Sequence, residues 1–518
     1  MDLSRAATQR LIAPGLSVAA GLFLGLALRP LWPLLDGGAW GLLGLGLVVV
    51  SWTWATDLSR AFAHTWCAFG LAHLIAFPWV IRHPDPITAG TGALAIVLIP
   101  MLIAAAWAVL WSATTGFGLV ARSMVLSAGT WLVDYGLHFG PMPLPWGLPG
   151  HTLSSWTWAD SMAATMGSPA VAATVVLAAS LLTGRASDGA LPGGLATRLG
   201  GPVILLALII GFPDAGLTTP GAERSQSTQA AGATLKAALV QPGLDPERWD
   251  SLSDRVAYMV PLTDSLLSAS NERADWVQWP ETTIRSDAEI QAAHRAAERW
   301  SLPIVTGALL RNPDSTISNA VLVLYPDGLE SRYDKRRLVP FVEAIPFESA
   351  LASLDEGSHT RSRYRPGETT GTAALGQARV GFVICFETLF PSLATEAAAS
   401  GAQALVAVTN DAWWSHPAAA DAHLAFSRRR ALESGLPLVQ SSTSGFTGVI
   451  HPDGTVHEAI GWMRTGAALV DVPRPEHRRS WRFAPLLFVA LLAAGLGLGH
   501  GLGLGRNLRS RIRVDAAP

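Results

Sequence analysis

The sequence is short of several kinds of residue that often stabilise or functionalise a protein. Only two of its 518 residues are cysteines, Cys67 and Cys385, so no disulfide framework stabilises it, although one bridge between these two stays open. Of the 37 basic residues, only Lys236 and Lys335 are lysines. Each lysine therefore merits attention, because a compact ammonium on a flexible stem is not interchangeable with a guanidinium.

Charge is also scarce and unevenly distributed. Charged residues make up 15% of the chain, against roughly 25% in soluble proteins, and the formal net charge is -2. No basic surface dominates, which argues against a nucleic-acid partner. Charge is sparse up to about residue 220, dense over 223–482, and absent again over 483–505. A chain of this length is expected to form at least two domains.

The apolar runs predict a multi-span helical membrane domain, since each helix that crosses a bilayer needs about 20 apolar residues. The predicted spans are 13–31, 38–56, 61–81, 90–111, 123–139, 161–183, 202–216 and 483–505. Residues 1–216 would then hold about seven transmembrane helices. Tryptophans near the ends of these runs, including Trp52, Trp79 and Trp111, suit an interfacial aromatic belt, with ordinary core packing as the alternative.

Arginine placement indicates the orientation of these helices. With a cytoplasmic N-terminus, Arg60 and Arg122 fall in inside loops, and the tail at 506–518 is basic and cytoplasmic. The short outside loops hold only Arg29 and Arg82. This bias follows the positive-inside rule and puts residues 217–482 on the outer face of the membrane.

The outer segment has the pattern of a soluble α/β domain. A polar linker at 217–232 precedes a domain at 233–475, in which two Pro-Asp-Gly turns, at 325–328 and 451–454, predict hairpins. Helices are predicted at Ser286–Arg299 and Ala420–Ser434. The predicted strands are Leu235–Val240, Trp276–Trp279, Pro303–Gly307, Ala320–Tyr325, Ala378–Cys385, Ala404–Thr409, Pro437–Ser441 and Val449–Ile450.

Three short segments of this domain carry residues suited to acyl transfer. Glu281 follows a strand in Trp-Pro-Glu-Thr, Lys335 lies in Tyr-Asp-Lys-Arg-Arg-Leu-Val-Pro-Phe, and Cys385 ends a strand in Val-Ile-Cys-Phe-Glu. A thiol needs a base to become a nucleophile at neutral pH, and a buried glutamate can serve. A fixed cation such as a lysine stabilises the oxyanion that forms. Taken singly, each residue has an ordinary alternative: a buried thiol or a solvated surface charge.

The combination and order of these motifs resemble the nitrilase, or carbon–nitrogen hydrolase, superfamily. Within it, the chain is similar over essentially its whole length to the apolipoprotein N-acyltransferase family, on the run from Leu338 to Glu343, Asn410-Asp-Ala-Trp413 and the stretch Pro143–Trp146. The resemblance implies an αββα four-layer catalytic domain inserted before the last membrane helix. It also implies no cofactor, a monomer, and location in the bacterial inner membrane with the catalytic domain on the periplasmic side.

The resemblance also implies roles for residues. Glu281 would be the general base, Lys335 would stabilise the tetrahedral intermediate, and Cys385 would form a thioester with an acyl chain from a phospholipid. The acceptor would be the α-amino group of a diacylglyceryl-cysteine lipoprotein. Glu343 and Glu387 match supporting acidic positions.

Two residues depart from the family pattern, and several others are weaker candidates. Phe386 stands where the family usually has Tyr, and Val342 where it has Gly. Four aromatic residues are predicted to line a substrate path: Phe386, Trp413, Trp414 and Phe446. His416 and His423 with Asp421 lack the spacing of a metal site, so no metal is expected. Asp134, near membrane depth, is either functional or solvated at a helix end.

Two other functions stay open on the sequence. The same three catalytic residues would serve a membrane-anchored amidase that hydrolyses a small amide. A catalytically silent nitrilase-like binding module is the other alternative, which the presence of all three residue types disfavours.

Overall fold

The computed structural model describes the chain in ten stretches. They are residues 2–28, 37–81, 86–139, 143, 145–153, 157–183, 235–346, 364–414, 416–473 and 486–498. The predicted span 202–216, the linker 217–232 and the tail 506–518 lie outside the described residues.

The N-terminal third is helical. Its helices are α1 (Asp2–Leu28), α2 (Gly37–Trp52), α3 (Leu58–Ala76), α4 (Pro78–Ile81), α5 (Pro86–Ala113), α6 (Leu119–Gly136), α7 (Thr157–Met166) and α8 (Ser168–Thr183), with a 3-10 turn at Pro149–Leu153. Small residues allow close packing here: a Cβ on Gly21 would lie 2.7 Å from the Ala68 carbonyl oxygen of α3. Trp52, Trp79 and Trp111 are buried, so core packing rather than an interfacial belt accounts for these three.

Among the described residues, one helix, Gly92–Ala113, is long and apolar enough by length and composition to cross a membrane. Shorter apolar helices occur at Ile12–Leu28, Leu43–Trp52, Ser168–Leu181 and Leu486–Leu498. The multi-span membrane domain therefore stays a prediction.

The predicted span 161–183 is wrong as a single helix. It is divided between α7 and α8 at Gly167, whose φ of 82° is left-handed. The Gly167 amide donates to the Ala163 carbonyl at 2.9 Å, which ends α7, and Pro169 at the start of α8 has no amide hydrogen to continue the earlier helix. Hydropathy alone does not detect such a break, because both halves are apolar.

The α/β domain contains two six-stranded sheets. Its strands are β1 (Leu235–Gln241), β2 (Trp276–Gln278), β3 (Ile304–Arg311), β4 (Ile317–Leu324), β5 (Glu330–Asp334), β6 (Thr372–Leu375), β7 (Ala378–Ile384), β8 (Ala404–Thr409), β9 (Leu438–Ser442), β10 (Thr447–Ile450), β11 (Val456–Ile460) and β12 (Gly466–Val472). The first sheet has the order β12-β1-β2-β3-β4-β5, and the second β11-β10-β9-β8-β7-β6. Both predicted hairpins occur, as β4–β5 and β10–β11.

The two sheets pack face to face, and helices cover their outer faces. Leu239 and Val305 of the first sheet share an apolar core with Val406 and Val439 of the second. The helices are α9 (Pro246–Ser251), α10 (Arg255–Ala269) and α11 (Asp287–Trp300) on the first sheet, and α12 (Pro391–Ala399) and α13 (Pro417–Ser434) on the second. Helix α14 is Leu486–Leu498. The α/β class is as predicted, and the layers follow the order αββα.

Four strands had no counterpart among the predicted apolar runs: β5, β6, β11 and β12. Their sequences are polar or mixed, and β5 and β11 each bury only one residue. All four lie at sheet edges, where one side of the strand has no partner strand in its sheet. Apolar periodicity is therefore weakest where these strands occur.

Helix α13 joins the α/β domain to the N-terminal helices through buried charged groups. The Glu433 carboxylate accepts hydrogen bonds from the amide and the hydroxyl of Ser168, at 3.0 and 2.5 Å, at the start of α8. Its other oxygen pairs with Arg430 at 2.7 Å, and both side chains are fully buried. A second contact between α13 and the N-terminal helices involves Asp160 of α7, which pairs with Arg428 and, at 3.7 Å, with Arg429.

We expect Glu433→Ala to destabilise the protein by about 3–5 kcal/mol, because it leaves the Arg430 guanidinium buried without its carboxylate. Unfolding of the full-length protein in detergent, followed against temperature or denaturant, measures the effect. The matched control is Glu298→Ala, an exposed glutamate of α11, which should change stability by at most about 0.5 kcal/mol. Equal unfolding midpoints for the two variants would show that the buried contacts of Glu433 do not stabilise the protein.

Candidate active site

Glu281 lies in the turn that follows β2. The chain reverses there in a tight turn, with Thr282 in the left-handed region at a φ of 58°. Gly307 of β3 passes so close that a Cβ on it would overlap the Glu281 backbone. The Ile284 amide donates to the Gly307 carbonyl at 3.0 Å, which holds the turn against β3. Glu281 is 4% exposed.

Lys335 follows β5 and is 1% exposed. Its amide donates to the Asn319 carbonyl of β4 at 2.8 Å, so the hairpin determines where the side chain begins. The ammonium donates to Glu343 Oε1 at 2.9 Å and lies 3.6 Å from Glu281 Oε1. The buried ammonium thus lies between two carboxylates, whose negative charges compensate for its removal from water.

Cys385 begins a 3-10 turn directly after β7. Its φ of 47° is left-handed, a conformation that non-glycine residues seldom adopt and that concentrates at functional sites. The thiol and the Glu281 carboxylate line the same cavity, and each shifts the pKa of the other. The three predicted catalytic residues, which lie far apart in the sequence, therefore meet around one carboxylate.

The electrostatics favour a neutral thiol beside a basic carboxylate. Burial raises the pKa of Glu281 above its ordinary value, and the Lys335 charge only partly opposes this. Burial and the Glu281 charge raise the pKa of the Cys385 thiol well above its usual range. Burial alone would lower the pKa of Lys335, but Glu343 and Glu281 outweigh it, so the pKa is raised and the ammonium persists. The thiol proton is therefore expected to pass to Glu281 during attack.

Asn319 connects the two carboxylates, and sequence reasoning missed it. Its side-chain amide donates to Glu281 Oε1 at 2.8 Å and to Glu343 Oε1 at 3.0 Å. Glu343 also accepts from the Val339 amide at 2.8 Å, within its own loop. The only available signal was a buried polar residue at the start of an apolar strand, which is common outside active sites.

Glu387, expected to help orient the lysine and support the site, makes no hydrogen bond to Lys335. Its carboxylate accepts from the Tyr333 hydroxyl at 2.9 Å, from the Ile384 amide at 2.9 Å, and from the amides of Arg336 and Arg337 at 2.7 and 3.1 Å. It therefore ties the loop that carries Lys335 to the strand that carries Cys385.

The three residues open onto a cavity of about 310 Å³. Of the predicted lining residues, Phe386 and Trp413 form part of its wall. Phe446 instead lies in the hydrophobic cluster between the second sheet and its helices, and the Trp414 side chain lies outside the described part of the structure. Val342, the second departure from the family pattern, also faces the cavity.

Trp146, from the connection between α6 and α7, closes one side of the cavity. Its ring lies 5.8 Å from that of Phe426 of α13 and 5.5 Å from that of Trp79. The N-terminal helical part thus contributes to the wall of a site that the α/β domain otherwise builds. Asp134 of α6 is buried and accepts from the Gly150 amide at 2.9 Å, so it orders this connection and is not solvated.

The histidines considered for a metal site have other partners. His416 caps α13, where its Nδ1 accepts from the Ala418 amide at 3.1 Å. His423 lies between Asp411 and the backbone of Cys385. No group of three or more His, Cys, Asp or Glu side chains suited to a metal occurs within the described residues. Cys67 and Cys385 are both free thiols.

Residues 209–482 match the model of one protein family, carbon-nitrogen hydrolase. This match spans more than half of the 518 residues. The chain belongs to the carbon-nitrogen hydrolase family. Membership accounts for the α/β fold.

Similar proteins extend the match into the N-terminal helices. The apolipoprotein N-acyltransferase of Brucella suis biovar 1 is 27% identical over 462 residues, which cover 83% of this chain and 84% of that relative. Apolipoprotein N-acyltransferase 2 of Treponema pallidum is 30% identical over 320 residues, with 52% and 57% covered. Among solved structures, a carbon-nitrogen hydrolase superfamily protein from Xanthomonas campestris is 20% identical, with a TM-score of 0.35, and covers 51% of this chain and 97% of its own.

We expect Glu387→Ala to destabilise the protein by about 1–3 kcal/mol for each buried donor left without an acceptor. The measurements on this variant are its unfolding midpoint and the rate at which iodoacetamide alkylates Cys385. Glu396→Ala is the control, since Glu396 binds Arg336 of the same loop from a partly exposed position and should cost about 0–1 kcal/mol. The assignment of Glu387 as the tie between loop and strand would be wrong if both variants unfolded alike.

Proposed function

We propose that this protein N-acylates the N-terminal diacylglyceryl-cysteine of bacterial lipoproteins, with a phospholipid as acyl donor and a Cys385 thioester as intermediate. One observation supports the chemistry most directly: Cys385 and Glu281 line one cavity, and the Glu281 carboxylate lies 3.6 Å from the Lys335 ammonium. Nucleophile, base and cation thus meet at one buried point. In the first half-reaction Glu281 takes the thiol proton while sulfur attacks the ester carbonyl.

The tetrahedral oxyanion that forms is stabilised by Lys335, which is already ordered by Glu343 before substrate arrives. When the intermediate collapses, the carbon–oxygen ester bond breaks, and Glu281 returns its proton to the departing lysophospholipid oxygen. In the second half-reaction the acceptor α-amine attacks the thioester and gives a proton to Glu281. The carbon–sulfur bond then breaks, and the thiolate recovers that proton.

The length of the match favours acyl transfer between lipid substrates over hydrolysis of a soluble amide. Similarity to the Brucella suis relative covers 83% of this chain, so it includes helices that an amidase site would not need. Trp146 from those helices forms part of the cavity wall together with Phe386 and Leu389. Withdrawing an acyl chain from a bilayer costs about 0.8 kcal/mol per methylene, which a site at the membrane surface avoids.

The proposal includes location in the bacterial inner membrane, with several spans and the catalytic domain at 233–475 on the extracytoplasmic side. Support comes from the arginine distribution between the apolar runs and from the helix Gly92–Ala113. The last span, proposed at 483–505, includes the shorter apolar helix α14 (Leu486–Leu498).

We expect the purified full-length protein, incubated with phospholipid, to gain the mass of one fatty acyl group on Cys385. The adduct should disappear on addition of a diacylglyceryl-cysteine peptide, which becomes N-acylated. Intact-protein and peptide mass spectrometry follow both steps. Cys385→Ala should form no adduct, while Cys67→Ala, which removes the other thiol, should behave as the wild type.

Two results would overturn the proposal. Absence of an adduct in the wild type would remove the thioester. Discharge to water at the same rate with and without the peptide would indicate a hydrolase instead.

The pH dependence of thioester formation should reveal Glu281. The carboxyl must be ionised to accept the thiol proton, and its pKa is raised above the ordinary 4.5, so the rate should rise with pH around a midpoint above 4.5. Glu281→Gln should lower the rate of thioester formation about 10²–10⁴-fold and abolish its rise with pH. Exposed Glu298→Gln should keep both the rate and its rise with pH. A midpoint at or below 4.5 would exclude Glu281 as the base.

A further inference from the structure

His423 of α13 is buried and bonded on both sides of its ring. Its Nδ1 lies 2.6 Å from Asp411 Oδ1, and its Nε2 lies 2.9 Å from the carbonyl oxygen of Cys385. Both facing groups are acceptors, so each ring nitrogen must carry a hydrogen for both bonds to exist. The contact to Cys385 is made to the backbone of the proposed nucleophile and leaves its thiol free for Glu281.

Asp411 is itself held in place. Its second oxygen accepts from the Ser442 hydroxyl at 2.9 Å and from the Thr409 hydroxyl at 3.3 Å. A Cβ at Gly445 would overlap this carboxylate, so the chain needs glycine there. The carboxylate therefore has one favourable position, with Oδ1 directed at His423.

The Cys385 backbone is a part of the site that needs such support. A left-handed φ at a non-glycine residue costs on the order of 1–3 kcal/mol and persists only where surrounding contacts enforce it. The Thr388 hydroxyl also donates to the Cys385 carbonyl, at 3.0 Å, but it lies within the same 3-10 turn. His423 is the contact to that oxygen from a separate element.

We propose that doubly protonated His423, oriented by Asp411, is a positioning residue that holds the Cys385 peptide in its left-handed conformation and so aims the thiol at Glu281. The inference rests on the proposed function of Cys385 as nucleophile. It names no new chemical step, since His423 neither gives nor takes a proton in the reaction.

The arrangement makes the site sensitive to alkaline pH. The ionisable side chains that act on His423 are Asp411, in the 3-10 turn at Asp411–Trp414, and Glu281, across the cavity. Burial alone would lower the pKa of His423, but Asp411 and the hydrogen bonds outweigh it, so the pKa is raised above 6.5. Both bonds are therefore intact below this raised pKa. Above it one hydrogen is lost, and either Asp411 or the Cys385 carbonyl loses its donor.

The test compares rates of Cys385 acylation against pH in full-length variants that all carry Cys67→Ala. His423→Gln keeps a donor for Cys385 but turns an amide oxygen toward the Asp411 carboxylate, and should lose about 10- to 100-fold in rate. In the double variant His423→Gln with Asp411→Asn, both side chains are uncharged amides, so each hydrogen-bond donor again faces an acceptor. This variant should recover most of the rate and show no alkaline limb from this pair.

Asp411→Asn alone removes the negative charge that raises the pKa of His423, so its alkaline limb should move to lower pH. His457→Gln, an exposed histidine on β11, should match the wild type in rate and pH profile. If Asp411 and His423 had only a structural role, their substitution would lower the rate at every pH without shifting the pH at which the rate falls. Thermal unfolding of each variant separates loss of fold from loss of alignment.

Iodoacetamide alkylation of Cys385 across the same pH range needs no lipid, so it separates this inference from the proposed function. A wild type that is alkylated but never acylated would contradict the function alone. The inference fails if His423→Gln acylates at the wild-type rate. It also fails if the alkaline limb stays unchanged in Asp411→Asn or persists in the double variant.

Discussion

The buried ammonium of Lys335 is the constraint around which the site is organised. A charge removed from water must be compensated within the protein, and here Glu343 at 2.9 Å and Glu281 at 3.6 Å compensate it. Two carboxylates this close repel each other, and the Lys335 charge offsets that repulsion, while the Asn319 amide donates a hydrogen bond to each of them. The Glu281 carboxylate that balances the lysine also faces the cavity onto which the Cys385 thiol opens, which joins charge balance to the proposed chemistry.

Helix α13 extends this constraint to the rest of the protein. One part of it carries His423 to the Cys385 carbonyl, and its C-terminal part carries Arg428, Arg429 and Glu433 to the N-terminal helices. Because its charged contacts are buried at both places, the helix cannot shift without breaking an ion pair. The proposed nucleophile is therefore mechanically connected to the helical part that would lie in the membrane.

Several features could be predicted from local sequence because local sequence determines them. Buried strands such as β8 are nearly continuous apolar runs, and the Pro-Asp-Gly turns fit the hairpins β4–β5 and β10–β11. The edge strands β6 and β12 were not predicted, and the apolar pattern alone gave no sign of β5 and β11, which only the turns predicted. The break at Gly167 escaped prediction because hydropathy averages over both helices.

The features of the candidate site fall into the same two groups, those that local sequence predicts and those that it does not. The sequence by itself determined the residue types and order of Glu281, Lys335 and Cys385, since the proposed acyl transfer requires a base, a cation and a nucleophile, and these residues follow predicted strands. Only the tertiary structure decided that Asn319 links the carboxylates, that Glu387 ties the Lys335 loop to β7, and that His423 bonds to the Cys385 carbonyl. These contacts join residues far apart in the chain, so they depend on strand register and helix docking. No local pattern specifies those quantities, because they follow from the packing of both sheets and all their helices at once.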